Sequence, residues 1–172
     1  MNRKTFWELM DSTRPKNGDV EKHLAQLRKA LSRLDAGDLL DFEKITAELF
    51  HESYDARLWD VVSILCGGGC GDDSFDYFRG WLIMQGKEKF DRVLKQPERI
   101  PEWFPSGQID FADGFGSLAV RAFEENYPDR DFYAEYDGPE GPGELKGELW
   151  RTEEELQSRY PELWDKYLGQ YD

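Results

Sequence analysis

Residues 66–86, CGGGCGDDSFDYFRGWLIMQG, decide the fold. Their glycine cluster allows a sharp turn, because glycine adopts positive φ angles without strain. The run that follows the aspartates is apolar on almost every side, which is typical of a helix buried on most of its surface. We therefore predict a buried central helix over residues 75–94, with Asp73 or Ser74 as its N-cap.

The N-terminal segments also have helical periodicity, with apolar residues recurring at steps of three and four. Thr5 and Glu8 form a capping-box pattern at the start of a first helix. Asp19 is a suitable N-cap for the second helix. Gly37 is expected to end that helix and Asp38 to begin the third.

Shorter helical segments and loops follow in the C-terminal third of the chain. Thr152 and Glu155 repeat the capping-box pattern, and Pro161 suits the first turn of a last helix. The best strand candidate is DFYAEY, residues 131–136, and it is short. The pattern predicts an all-α protein: a compact helical domain with a buried central helix and an irregular, acidic C-terminal part.

Charge divides the chain at about residue 104. The net charge is −14, and residues 104–172 hold 17 acidic and 6 basic side chains together with 13 aromatic rings. We predict a helical core over residues 1–103 and an acidic, aromatic-rich extension over residues 104–172 that packs on this core.

The acidic balance restricts the classes of partner. Nucleic acid and anionic membranes are disfavoured, because binding to phosphates needs a basic surface. A basic protein partner is favoured, since opposite electrostatic fields speed encounter; solubility alone would explain the same charge. The chain has no apolar run near the roughly 18 residues of a membrane span and no signal-peptide core at its start. With only two cysteines, it is expected in the cytoplasm, a reducing compartment.

Acidic and basic side chains are combined at the start of the central helix. Asp72 and Asp73 suit a helix N-terminus, or else form a carboxylate pair that binds a cation or transfers protons. Arg79 lies among aromatic residues, and a buried guanidinium needs a carboxylate partner, such as Asp76, Asp73 or Asp72. Arg79 could alternatively bind an anionic ligand.

Polar and small residues interrupt the apolar part of this helix. Gln85 is either a structural polar residue of the buried helix or a ligand-binding residue, as Arg79 is. Trp81 lies four residues before Gln85, one helical turn away. Gly80 and Gly86 would each cost about 1 kcal/mol relative to alanine. Close helix packing would justify that cost, and so would a ligand or partner held against the helix.

No metal site is expected from the cysteines and histidines. Cys66 and Cys70 are four residues apart, without a tight C-x-x-C pattern, and His23 and His51 are 28 residues apart. A spacing of four is compatible with a metal, and the four residues would make a Cys₂His₂ set by count, but the wide histidine spacing and the ordinary helical context of both histidines disfavour zinc. We expect no metal and no cofactor, and interpret the cysteines as small buried residues.

Residues 58–94 resemble the core of the DUF4240 family, whose members look like carriers of a GGCSDDGFxYFRGWLIxQG motif. The match includes the DD pair, YFRGWLI and the final QG, and departs from the motif at Gly71 and Ser74. The helical pattern extends the resemblance to about residues 1–103. It implies a bacterial, mostly helical domain, with no established activity. Some relatives look joined to bacterial interaction modules, which favours a binding role.

Two hypotheses of function remain. The first is a non-enzymatic binding protein, such as an immunity-like or antitoxin-like inhibitor, whose acidic C-terminal surface contacts a basic partner through Glu153, Glu154, Glu155, Trp150 and Trp164. The second is an enzyme or small-ligand-binding domain with a cleft that contains Asp72, Asp73, Arg79, Trp81 and Gln85.

Overall fold

The computed structural model describes residues 1–104, 109–149 and 152–169. In these residues the protein has eleven α-helices, two short 3-10 helices and no β-strand, which confirms the all-α prediction. The α-helices are α1 Arg3–Thr13, α2 Val20–Leu31, α3 Ala36–Ser53, α4 Ala56–Leu65, α5 Asp72–Met84, α6 Lys87–Lys95, α7 Ile100–Trp103, α8 Leu118–Asn126, α9 Phe132–Glu135, α10 Glu153–Arg159 and α11 Pro161–Tyr167. The 3-10 helices are Pro97–Arg99 and Phe115–Ser117.

Helix α5 lies at the centre of the hydrophobic core. Its buried apolar residues are Phe75, Phe78, Trp81, Leu82, Ile83 and Met84. It packs against α1, α3, α6 and the 3-10 helix Phe115–Ser117. At Gly80 an added Cβ would lie 3.1 Å from the Cβ of Phe115, so a glycine permits this close approach. The prediction that residues 75–84 form a buried helix is therefore confirmed.

The predicted single helix over residues 75–94 is wrong, because the chain breaks into α5 and α6. Gly86 lies between them with φ of 90° and ψ of 165°, a conformation that is essentially restricted to glycine. Helix α5 also begins earlier than predicted. Its N-cap is Gly71 rather than Asp73 or Ser74, so Asp73 lies in the first turn.

Replacing Gly86 with alanine is expected to lower the free energy of unfolding by about 2 kcal/mol, because alanine is strained at this φ and ψ. The new Cβ would also lie 2.6 Å from Nη2 of Arg14 and 2.8 Å from Oδ1 of Asp11. Urea denaturation followed by circular dichroism measures the change. Gly69→Ala is the matched control, since a Cβ at this position would have no neighbouring atom within 4 Å and the φ of Gly69 is not positive. Equal losses in both variants would contradict this account.

Other helix boundaries depend on which nearby polar side chain caps the helix. Asn2, not Thr5, caps α1 and accepts a hydrogen bond from the Thr5 amide. The third helix begins after Asp35, whose carboxylate accepts from the Asp38 amide, so the predicted start at Asp38 is wrong. The predicted caps at Asp19 and Thr152 are confirmed.

The C-terminal elements return to the helical core at two places. Leu156 of α10 and Trp164 of α11 pack on Ile64 of α4. The backbone of Lys146 bridges the α3–α4 junction, since its amide donates to the Tyr54 carbonyl at 3.0 Å and its carbonyl accepts from the Ala56 amide at 2.9 Å. The predicted division into a helical core over residues 1–103 and an extension over residues 104–172 remains a prediction.

The segment DFYAEY is helical, contrary to its interpretation as the best strand candidate. The Asp131 side chain accepts from the amides of Tyr133 and Ala134, which caps the short helix α9.

Across the described residues, none of the helices is long and apolar enough to cross a bilayer.

Candidate functional site

A cleft of about 740 Å³ opens where the C-terminal segment meets the helical core. Helix α3 forms one wall and α5 the floor. The opposite wall comes from the 3-10 helix Phe115–Ser117, the start of α8, helix α9 with the residue after it, and the loop 139–142. We call it the α3 cleft. Its lining residues are Glu43, Thr46, Ala47, Phe50, Asp76, Arg79, Gly116, Ser117, Val120, Phe132, Tyr133, Tyr136, Pro139, Glu140, Gly141 and Pro142.

Arg79 joins the floor of this cleft to the end of α3. Its side chain is 1% exposed, and its Nη1 donates to the Phe50 carbonyl at 2.6 Å. The guanidinium carbon lies 4.8 Å from the ring centroid of Phe50 and 5.0 Å from those of Tyr54 and Phe75. Because a helix C-terminus carries partial negative charge, this position favours a cation. Arg79 therefore has a structural role in holding α5 against α3.

Among the described residues, one carboxylate forms an ion pair with the buried guanidinium of Arg79. Nη2 donates to Asp76, one turn earlier on α5. Burial lowers the pKa of Arg79, and the hydrogen bond to Asp76 opposes that change. Asp76 is half-exposed, so the ion pair reaches the cleft surface from below. The predicted need of Arg79 for a carboxylate partner is thus met by Asp76.

Glu43 on α3 is a second acidic group of the cleft, and no described residue pairs with it. Its side chain makes no hydrogen bond or ion pair with a described residue. Loss of hydration raises the pKa of its carboxyl from 4.5 to about 7. A carboxyl in this range changes charge near neutral pH and is strongly attracted to a cation.

Two polar atoms of the cleft residues are also unsatisfied. Thr46, one turn beyond Glu43 on α3, is 2% exposed. Its Oγ1 and Nε of Arg79 have no hydrogen-bond partner among the described residues. Most buried polar atoms in proteins are paired, so these two atoms retain the capacity to hydrogen-bond a group that enters the cleft.

Aromatic residues form the outer wall. Tyr133 is 72% exposed, and Tyr136 stacks on Phe132 with ring centroids 5.6 Å apart. The Tyr136 hydroxyl donates to the Pro139 carbonyl at 3.0 Å. Burial and the nearby carboxylate of Glu43 raise the pKa of Tyr136 to about 12, so it remains protonated at neutral pH.

The structure separates the residues that sequence analysis grouped on the central helix. Asp76 and Arg79 line the α3 cleft. Asp72 and Asp73 are exposed in the first turn of α5. Farther along, Trp81 is buried, and Gln85 lines a different hollow. Among the described residues, the five that we predicted to form an enzymatic or ligand-binding cleft do not line one common cleft.

The predicted partner-binding residues are also in different environments. Glu153, Glu154 and Glu155 are exposed in the first turn of α10, and Glu155 also accepts from the Thr152 amide as part of the capping box. Trp164 is 7% exposed and packs with Leu156 against Ile64 of α4. Trp150 lies outside the described residues.

Sequence analysis missed Glu43, Thr46 and Tyr136. Glu43 and Thr46 are three residues apart and therefore lie on one face of α3. Both are adjacent to the buried stripe of that helix, because Phe42 and Ile45 precede them. Two polar residues three positions apart, each directly following a buried apolar residue, are a sequence signal that could have identified Glu43 and Thr46 as candidate site residues.

No cluster of three or more potential metal ligands occurs in the described ranges. Cys66 and Cys70 are free and partly buried, rather than fully buried as interpreted from the sequence. The neighbouring thiol of Cys70 lowers the pKa of Cys66.

A family model described as "Protein of unknown function (DUF4240)" matches residues 1–125. No curated protein and no solved structure matches the chain. The matched segment contains α3 and α5, which supply Glu43, Thr46, Asp76 and Arg79 to the cleft. Helix α9 and loop 139–142 lie beyond it, so the α3 cleft combines residues inside and outside the matched segment.

Proposed function

Because the chain belongs to the DUF4240 family, which is described only as of unknown function, we propose its function from geometry and charge. It is a non-enzymatic binding domain for a basic protein, of the kind that an immunity protein or antitoxin represents. The net charge of −14 supports this proposal, with 17 of the acidic residues in the last 69. Such a field attracts a basic partner over long distances.

The observation that carries the proposal is the composition of the α3 cleft. Three carboxylates line it, from Glu43, Asp76 and Glu140, against one cation, Arg79. That cation is already paired with Asp76. The cleft is therefore suited to a positively charged group, and an anionic ligand would meet two unmatched carboxylates.

Exposed glutamates on α10 provide a second contact region for the same partner. Glu153, Glu154 and Glu155 follow each other in its first turn and face solvent. Exposed charges of this kind affect the association rate and its salt dependence more than they affect final affinity. The alternative, an enzyme built on Asp72, Asp73, Arg79, Trp81 and Gln85, lacks support from their positions.

Reversing the charge on α10 is expected to weaken capture of the partner. The variant is E153K/E154K/E155Q, because glutamine at 155 can still complete the capping box. Used as bait in extracts of the native cell, the wild type should retain a basic protein. The variant should retain about tenfold less of it, and about 0.5 M NaCl should have the same effect on the wild type.

The matched control reverses three exposed glutamates of the helical core, Glu8, Glu21 and Glu98. This control changes net charge more than the α10 variant does, yet should retain more of the partner. Quantitative mass spectrometry of the captured proteins provides the comparison. If neither the α10 variant nor salt changes capture, the proposed electrostatic interface is wrong.

A further inference from the structure

We propose that the α3 cleft receives one cationic side chain of the partner, a lysine ammonium or an arginine guanidinium. This inference rests on the proposed function and specifies what the acidic surface binds. It assigns Glu43 as the anion that pairs with the cation, and the aromatic wall as the surface that packs on its aliphatic stem.

Glu43 is the main argument for a cation. Its carboxylate is in the wall of the cleft and has no partner among the described residues. Glu43 is partly buried, and a carboxylate that loses hydration without gaining a partner is unfavourable. An entering cation would both neutralise it and bond to it. Asp76 is less suited to this role, because its charge already balances the buried guanidinium of Arg79.

Thr46 is the second, independent argument. Its buried Oγ1 lacks a hydrogen-bond partner among the described residues and belongs to the same face of α3 as Glu43. A hydroxyl oxygen accepts from an ammonium or guanidinium N–H. A cation paired with Glu43 would therefore have an acceptor one helical turn away, and the unsatisfied hydroxyl would gain a donor.

The apolar wall suits the methylene stem that a lysine or arginine carries. Phe50, Val120 and Phe132 line the cleft, and long basic side chains bury their stems against such surfaces while the charged end finds polar partners. Tyr133 and Tyr136 present ring surface at the same wall, which attracts cations by cation–π interaction.

Binding is expected to depend on pH through Glu43. With its pKa at about 7, the ionised fraction of Glu43 rises about tenfold between pH 6 and pH 8. Cation affinity should rise by a similar factor, since only the carboxylate form attracts the ligand. The other charged or titratable groups of the cleft and its loop are Asp76, Arg79, Tyr133, Tyr136, Glu140 and His51, whose Nε2 contacts the Gly141 carbonyl.

The test uses the full chain, labelled with ¹⁵N, and four capped tripeptides followed by NMR. The central residue is lysine, arginine, norleucine or glutamate, flanked by glycines. Lysine or arginine should shift the amide signals of Glu43, Thr46 and Tyr136, with a dissociation constant of about 1 mM at pH 8. Norleucine, which has the stem without the charge, should bind at least about tenfold more weakly, and glutamate should not bind.

Glu43→Gln should reduce lysine or arginine affinity about tenfold at pH 8 and remove the dependence on pH. His51→Gln should keep that dependence, which separates Glu43 from the nearby histidine. Norleucine binding as well as lysine would overturn the inference, as would shifts confined to residues outside the cleft or an unchanged affinity in Glu43→Gln.

A failure of the cleft inference can be distinguished from a failure of the proposed function. A basic protein captured through α10, without any response of the cleft to the cationic peptides, overturns only the cleft inference. Peptide binding in the cleft without any captured basic protein overturns only the proposed partner class. The two peptides also decide between the ammonium and guanidinium forms of the ligand.

Discussion

Arg79→Ala is expected to lower the free energy of unfolding by about 3–5 kcal/mol, a range typical of removing a large buried side chain or one partner of a buried ion pair. The side chain is 1% exposed and packs between the rings of Phe50, Tyr54 and Phe75. Its removal leaves a cavity and deletes the bond from Nη1 to the Phe50 carbonyl. Urea denaturation monitored by tryptophan fluorescence measures the loss.

Two further variants separate the contributions of volume and charge. Arg79→Met retains much of the packing and removes the charge, and should cost about 1–2 kcal/mol, since hydrophobic replacements of buried ionic groups are often tolerated. The Phe50 carbonyl still accepts from Ser53 Oγ at 3.2 Å in that variant. Asp76→Asn leaves the guanidinium uncompensated and should cost about 1–2 kcal/mol, limited by the exposure of Asp76. A loss below about 1 kcal/mol in Arg79→Ala would mean that the guanidinium is not packed as described.

The fold was predictable where a local pattern and the tertiary packing agree. The apolar periodicity of α3 and the near-continuous apolar run of α5 match the residues that are buried. The break at Gly86 was not predictable from periodicity, because α6 continues the helical sequence pattern of α5 beyond this one residue with a non-helical φ and ψ. A glycine in a helix and a glycine at a helix junction look alike in sequence, and only the positive φ distinguishes them.

Helix caps were also difficult to predict from sequence, because neighbouring polar residues compete for the same cap position. Thr5 has the capping-box sequence, but Asn2 lies three residues earlier and its side chain accepts from the Thr5 amide, so the helix begins before the predicted box. In DFYAEY, aromatic residues favour a strand. Asp131 instead caps a helical turn that packs Phe132 against Phe123.

The candidate site was predictable only in its helical half. The pairing of Arg79 with Asp76 follows from a spacing of three on one helix and from the apolar surroundings. Glu43 and Tyr136 are 93 residues apart, and their proximity depends on the path of the chain after α8. A carboxylate on α3 looks like an ordinary surface residue until that segment covers it.

Glu43→Gln is expected to stabilise the protein at pH 8 by about 2–3 kcal/mol and to have little effect at pH 4. The reason is the raised pKa, about 7 against 4.5. The gain is smaller than the full pKa difference implies, because the Glu43 side chain is only partly buried. Well below pH 4.5 the carboxyl is protonated in both the folded and unfolded states, so it costs nothing. As pH rises to about 7, the unfolded chain loses the proton before the folded protein does, and the free energy of unfolding falls; above that range the penalty is complete. Glutamine keeps the shape and removes the charge.

Glu140→Gln is the matched control, because it makes the same chemical change in the same cleft at an exposed position. It should alter stability by less than about 0.5 kcal/mol at either pH. Urea denaturation at pH 4, 6 and 8 measures all three proteins, and a gain for Glu43→Gln that is equal at pH 4 and pH 8 would contradict the assigned cause. If a cation is the natural occupant of the cleft, a saturating lysine or arginine peptide should stabilise the wild type more than Glu43→Gln at pH 8, since ligand binding relieves the penalty only where the carboxylate is present. The destabilising charge at Glu43 would then be what the cleft uses to bind its ligand.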